Sequence, residues 1–297
     1  MKQVEIELSP RLGIAILLGV GVSFASNHLA ARVAFDHGAS VAAAVAVRAS
    51  CTALILVALM KLQGVRLGFP RELRAWSLLA GILIATQSYC LYSAVARIPP
   101  ALALLVFQTS PMLYVLVSWA MRKEAPRWRA LAPMALGLAG LALALDLRLE
   151  HLQSRWSEIG GGVLWAFASG SSMAVVYYLN THVLKGLDGR VRTFAMTAVT
   201  ATLAIAGGLA AHAIVFPADA AGWIGLGCLT VFYCLAIISL FFVLPKLPST
   251  HTAALNIEPI ALLFLAWLIL GNTVTPLQVA GALLTVGAIV WLGASKR

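Results

Sequence analysis

Two charged residues lie inside long uncharged stretches of the sequence, where a charge is costly to bury. Glu258 stands about ten residues into a stretch of some 22. An ionised carboxylate at that depth of a membrane costs roughly 2.5–3.5 kcal/mol on insertion scales, so it must face a cavity or a partner. Three roles follow for Glu258: a salt bridge or hydrogen bond that fixes two helices, with Arg48 as one candidate partner, attraction of a substrate ammonium group, or carriage of a proton.

Arg48 is the second of these charges, some eight residues into its own stretch. A guanidinium group keeps its proton in proteins, so Arg48 needs a carboxylate, carbonyl groups or water around it. Bidentate binding of a substrate carboxylate is one reading. Snorkelling towards the interface, or structural pairing, is the other.

Prolines and amides recur in the middle of two predicted helices. Pro111 and Pro259 each remove one helical hydrogen bond and free the carbonyl group four residues back. Gln108 and Asn256 each lie three residues before the proline, where an amide can bond the freed carbonyl or a ligand. Such kinked helices would line a cavity; the alternative is that the kinks only improve packing.

Uncharged polar and aromatic residues complete the candidate cavity. Asn27, Gln87, Tyr89 and Trp165 join Gln108, Asn256 and Glu258 as the residues predicted to line it. Single polar residues of this kind also form hydrogen bonds between helices, and deep aromatic rings also fill cores. The further mid-span polar residues are His28 and His251, and the further deep aromatic residues are Tyr92, Tyr177 and Tyr233.

The composition indicates which elements must position these residues. The chain has 297 residues, of which 61% are hydrophobic and 11% charged, and its mean hydropathy is +0.92. Soluble domains carry roughly 25% charged residues. The sequence therefore excludes a cytosolic enzyme, a nucleic-acid-binding protein and a disulfide scaffold, and its main partner is the lipid bilayer.

Stretches of about 20 apolar residues predict an all-α integral membrane protein with ten transmembrane helices. Sixteen of the 21 Lys and Arg residues fall on the side of the two termini and four on the other. Because positive charge stays in the cytoplasm, both termini are predicted to be cytoplasmic. The predicted helices are 12–34, 40–61, 75–96, 100–121, 130–147, 160–183, 193–215, 220–244, 249–270 and 275–294.

An internal repeat divides the chain into two halves, 1–147 and 148–297. Four positions of the fourth and ninth helices match at a constant offset of 148 residues. Five spans in each copy is an odd number, so the second copy enters the membrane from the opposite side. Inverted repeats of this kind are typical of alternating-access transporters. The matching pairs are Pro100 with Pro248, Gln108 with Asn256, Pro111 with Pro259, and Trp119 with Trp267.

The sequence resembles the EamA-type members of the drug/metabolite transporter superfamily over nearly the whole chain. The resemblance implies a secondary carrier that exports small metabolites across a bacterial cytoplasmic membrane. Among the branches, the chain resembles the exporters of amino acids, including aromatic ones. The residues that carry the resemblance are Arg48, the segment 93–101, Ser110-Pro111, Leu247-Pro248-Ser249, Glu258-Pro259, Gly281 and Gly287.

The predicted function is therefore secondary export by alternating access. The predicted substrates are amino acids, with aromatic ones among the candidates, or similar small metabolites. The alternative is proton-coupled efflux of lipophilic cations or drugs. No metal-binding spacing, GxSxG or HExxH motif occurs in the sequence, so it predicts no metal, no cofactor and no catalytic residue. Each half can cover the other within one chain, so a monomer is plausible.

Overall fold

A computed structural model describes residues 10–65, 68, 70–121, 128–144, 152–243, 257–271 and 275–294. Its regular elements in these ranges are all helices. The first half contributes α1 (Pro10–Asp36), α2 (Val41–Leu62), α3 (Arg71–Val95), α4 (Pro100–Phe107), α5 (Ser110–Ala120) and α6 (Trp128–Ala144). The second contributes α7 (Leu152–Tyr178, continued by a π-helical turn Leu179–Val183), α8 (Gly189–Ala210), α9 (Ala220–Val243), α10 (Glu258–Leu270) and α11 (Pro276–Ala294).

Seven helical segments of the described chain are long and apolar enough to cross a membrane. One of them is the stretch Pro100–Ala120, which contains both α4 and α5. Three further apolar helices are shorter: Leu131–Ala144, Glu258–Leu270 and Pro276–Trp291. An all-helical, multi-pass membrane protein is therefore confirmed, while the total of ten spans stays a prediction.

The predicted fourth span is broken between α4 and α5, three residues before Pro111. Pro111 lacks the N–H that would continue the ladder, and Thr109 donates from its backbone to Val106 at 3.0 Å in a tighter turn. The Thr109 hydroxyl donates to the same carbonyl at 2.8 Å. The break places Gln108 at the end of α4.

Helices of one half pack mainly against helices of the other. α1 packs against α9 and α10, α3 against α7 and α8, α2 against α8 and α9, and α6 against α11. Helices α4 and α5 pack against α7, and α4 also meets α10. In chain order the counterparts are α1 and α7, α2 and α8, α3 and α9, α4–α5 and α10, and α6 and α11. Exchanging each helix for its counterpart leaves this pattern of neighbours unchanged, so the two halves are built alike.

Glycines allow α6 and α11 to approach backbone to backbone. A Cβ atom added to Gly140 would lie 2.7 Å from the backbone nitrogen of Thr285, and one added to Gly281 would overlap the backbone of Ala144. The Thr285 hydroxyl donates to the Gly281 carbonyl at 2.9 Å and reaches the Gly137 carbonyl at 3.4 Å. Positions rise along α6 as they fall along α11, so the two helices are antiparallel.

Two loops from different halves are tied together where α1 meets α2 and α8 meets α9. Ser40 donates from its backbone to the Val215 carbonyl at 2.9 Å, and His37 Nδ1 lies 2.7 Å from Asp219 Oδ2. The backbone N–H of Gly222, and after it the His37 side chain, hold the pKa of the Asp219 carboxyl below its usual value. These bonds hold the two halves together at this end of the bundle.

Candidate functional site

Arg48 lies in the middle of the bundle, and only 4% of its surface is exposed. Its Cζ atom lies 4.5 Å from the ring centroid of Tyr92 on α3 and 4.0 Å from that of Tyr233 on α9. The guanidinium group is therefore in contact with one aromatic ring from each half of the chain.

These two rings offset only part of the cost of burying Arg48. A desolvated cation–π contact contributes about 2 kcal/mol or more, whereas removing an ion from water costs several kcal/mol in proteins. The Nε atom of Arg48 is buried and has no hydrogen-bond partner in the described chain. Within the described part of the chain, the Nε donor of this buried cation thus lacks an acceptor.

Glu258 lies beside His28, not beside Arg48. Its Oε1 atom is 3.3 Å from His28 Nε2, which joins α10 to α1. The ion pair considered between Arg48 and Glu258 is not among the ion pairs of the described residues. Tyr92 contacts Arg48 and also His28, since its ring packs edge to face with the His28 ring at 6.0 Å between centroids.

Asn27 fixes the position of Tyr92. The Tyr92 hydroxyl donates to Asn27 Oδ1 at 2.9 Å, and Asn27 Nδ2 donates to the Leu229 carbonyl at 2.7 Å. Asn27 is fully buried and Tyr92 nearly so. One amide side chain on α1 therefore connects α3 of its own half to α9 of the other half.

A smaller contact joins α2 to α9 beside Arg48. The Thr52 hydroxyl lies 2.7 Å from the Arg48 carbonyl, to which it donates, and 3.2 Å from the Cys234 thiol. A Tyr-Cys pair occurs in each half, as Tyr89-Cys90 and as Tyr233-Cys234, but only the second pair lies at this site.

Gln87, Tyr89 and Trp165 form a second group, between α3 and α7. The Ser169 hydroxyl donates to the backbone carbonyl of Gln87 at 2.9 Å, and the side-chain Nε2 of Gln87 donates to the Ser169 hydroxyl at 3.3 Å. Tyr89 and Trp165 pack edge to face at 6.3 Å between centroids. Gln87 thus makes a contact between helices, and the two aromatic rings line a cavity.

This cavity has a volume of about 330 Å³ and lies between α2, α3, α7 and α8. Small-molecule sites in proteins commonly measure about 300–1,000 Å³ and are mostly apolar. A neighbouring space of about 220 Å³ shares Tyr89, Leu203 and Ala204 with it. The residues that line the larger cavity are Val45, Ile82, Ala85, Thr86, Tyr89, Cys90, Trp165, Leu203 and Ala204.

The predicted proline and amide pairs are described only in part. Gln108 is half-buried at the break between α4 and α5, and α7 approaches the break so closely that a Cβ atom on Gly170 would lie 3.1 Å from the Phe107 carbonyl. Pro259 occupies the first turn of α10. Asn256 and His251 lie outside the described residues.

Comparisons with known proteins place this geometry in context. The EamA-like transporter family matches residues 11–145 and again residues 160–294. Fourteen chains of solved structures match. One of them, titled only "Crystal structure of protein", has a TM-score of 0.64 at 19% sequence identity and covers 97% of this chain and 99% of its own. A comparison with curated proteins gave no match.

Proposed function

Since the chain belongs to the EamA-like transporter family, whose members are membrane transporters of small molecules, we propose that it is a secondary transporter that exports amino acids or similar small metabolites by alternating access. One observation carries this proposal. Arg48 lies between Tyr92 of the first family copy and Tyr233 of the second, so both copies contribute to one buried polar site. Relative movement of the copies would change the access to that site from either side.

An inverted arrangement of the halves 1–147 and 148–297, with ten spans, is part of the proposal. The unchanged pattern of helix neighbours supports it. The antiparallel contact of α6 with α11 also supports it, because a twofold axis that lies in the membrane plane relates antiparallel helices. The excess of Lys and Arg on the side of the termini favours cytoplasmic termini in a bacterial inner membrane. The helices of each half are covered by the other, so a monomer would suffice.

The chemistry of the site suits a small zwitterion. Arg48 supplies a positive charge, and a chain of contacts through the Tyr92 and His28 rings connects it to the Glu258 carboxylate. The adjoining cavity is apolar and includes Tyr89 and Trp165. An amino acid carries one carboxylate, one ammonium group and a side chain, which matches these three features.

Proton-coupled efflux of lipophilic cations is the second candidate function. The observation that favours it is the contact between the Glu258 carboxylate and the His28 imidazole, which are both titratable. In this case Glu258 would exchange its proton for the cation. Aromatic rings around the site would bind the apolar part of such a cation.

Flux into proteoliposomes separates the two functions. We expect the wild-type protein to transport at least one labelled amino acid from a panel of twenty, and to leave tetraphenylphosphonium untransported, with and without a pH gradient. Glu258→Gln should keep part of the amino-acid flux, because the amide keeps the size of the carboxylate and a polar oxygen beside His28 Nε2. Transport of tetraphenylphosphonium alone, abolished in Glu258→Gln, would establish the second function instead.

A further inference from the structure

We propose that Arg48 is the group that binds the carboxylate of the transported molecule, with the two tyrosine rings holding its guanidinium plane in place. This inference rests on the proposed transport function and assigns a role to one residue of its site. Three features of the buried centre support it: the geometry of the guanidinium group, the charge balance and the adjoining cavity.

The guanidinium donors of Arg48 need acceptors that the two aromatic rings do not supply. The contacts with Tyr92 and Tyr233 are made with ring centroids 4.5 and 4.0 Å from Cζ. The five N–H donors of arginine lie in the plane of the group and point outward from its edge. Aromatic contacts do not satisfy these donors, and no described residue accepts a hydrogen bond from Nε. Nε is closed to solvent in this conformation, and a carboxylate that reached this edge once the site opened would accept two of these bonds in bidentate fashion.

The charge balance also favours an anionic ligand. Glu258 is engaged by His28, and no acidic side chain of the described chain forms an ion pair with Arg48. A buried ion without a counter-ion is strongly unfavourable. A bound carboxylate would supply both the missing charge and the missing acceptors. A single cation suits a singly charged carboxylate better than a doubly charged phosphate.

The cavity supplies the space for the rest of the molecule. Val45 lines it and lies three residues before Arg48 on α2. Residues three apart share one face of a helix, about one turn from each other. Arg48 is thus on the cavity side of α2, one turn beyond the cavity. A ligand whose carboxylate reaches Arg48 would place its apolar part against Tyr89 and Trp165.

A purely structural Arg48, one that only links α3 to α9, is the competing interpretation. It predicts that ligands with and without a carboxylate behave alike. Ligand-dependent thermal stabilisation of the purified full chain in detergent distinguishes the two, because a ligand that binds the native state raises the unfolding temperature. The probes are phenylalanine, 3-phenylpropanoate and phenethylamine, with leucine, 4-methylpentanoate and isoamylamine as a second set.

We expect the compounds with a carboxylate to stabilise the wild-type protein and the two amines to leave it unchanged. Arg48→Lys keeps the charge but loses the planar fork, so the affinity for the carboxylates should fall at least tenfold. Arg97→Lys is the matched control. Arg97 also lies over an aromatic ring, that of Trp165, but it is exposed and already donates to the Ser93 carbonyl at 2.7 Å. Its substitution should leave these affinities unchanged.

Several outcomes would overturn the inference. They are equal stabilisation by the amines and the acids, no stabilisation by any carboxylate, or unchanged carboxylate affinity in Arg48→Lys. The comparison of acids with amines uses the wild-type protein, so it decides the matter even if Arg48→Lys does not fold. Flux of amines and amino acids at equal rates would reject the carboxylate site but keep the transporter. Arg48-dependent binding without any flux would keep the carboxylate site but reject the transporter.

Discussion

Single side chains hold the centre of this bundle in place. Asn27 accepts a hydrogen bond from Tyr92 and donates one to the Leu229 carbonyl, and water has no access to it. Hydrogen bonds between membrane helices average about 0.6 kcal/mol and reach about 1.7 kcal/mol in measured cases. The bond between Asn27 and Tyr92 also positions the ring that contacts Arg48, so it matters for the site as well as for stability.

A double-mutant cycle measures this bond. We expect Asn27→Ala and Tyr92→Phe each to lower the free energy of unfolding, and the pair to show a coupling of about 0.6–1.7 kcal/mol. The measurement is reversible unfolding in mixed detergent micelles. Thr202→Ala is the control and should change little, because Thr202 is exposed and donates only to Ala198 of its own helix. Additive effects of the two substitutions would contradict the coupling.

Pairs of helices are held together by close packing of small residues. Lipid tails are as apolar as the side chains they replace, so helices in membranes associate by packing and by hydrogen bonds. The contact of α6 with α11 shows this, because Gly140 and Gly281 bring the two backbones together. Both Gly281 and Gly287 are among the residues that carry the family resemblance. In the structure only Gly281 lies against the backbone of a neighbouring helix.

We therefore expect opposite results from two glycine substitutions on α11. Gly281→Ala places a Cβ atom against the Ala144 and Gly140 backbones, which cannot move aside as a flexible side chain would. It should lower the unfolding temperature in detergent and cost on the order of 1–3 kcal/mol, as overpacking does elsewhere. Gly287→Ala is the control, since a Cβ atom there meets nothing within 4 Å, and it should not lower the unfolding temperature. Equal effects would mean that this helix contact contributes little to stability.

At the scale of the whole molecule, the helices of each half pack mainly against helices of the other half. The loop between the second and third helices of the first half contains Gln63, and the corresponding loop of the second half contains Ala218. An inverted repeat puts these two loops on opposite faces of the membrane, whereas a parallel repeat puts them on the same face.

Labelling of introduced cysteines with an impermeant maleimide tests this arrangement in spheroplasts. Ala218→Cys should react from outside, while Gln63→Cys and Gly186→Cys should react only after permeabilisation. All three positions are exposed. The wild-type protein, whose four cysteines are buried or half-buried, is the control for background reaction. Labelling of Gln63→Cys and Ala218→Cys from the same face would refute the inverted arrangement.

The sequence alone determined the elements and the class of protein. Two helices predicted at 40–61 and 220–244 are found as α2 (Val41–Leu62) and α9 (Ala220–Val243). Such boundaries follow from local hydropathy, and so does the membrane class, whereas the repeat follows from residues that match at a constant offset of 148. The start of α7 was less well predicted, at 160 instead of Leu152, because polar residues there continue the helix beyond the apolar stretch.

The tertiary structure alone decided which groups meet. Sequence analysis marked Arg48 and Glu258 as unusual because a charge inside an apolar stretch is costly wherever the helix packs. It offered a pair between them as one interpretation among several; in the described chain Arg48 contacts Tyr92 and Tyr233, and Glu258 contacts His28. Partner choice depends on which helices adjoin and how they are rotated. These contacts join positions up to 230 residues apart, from His28 to Glu258, and no local pattern in the sequence records them.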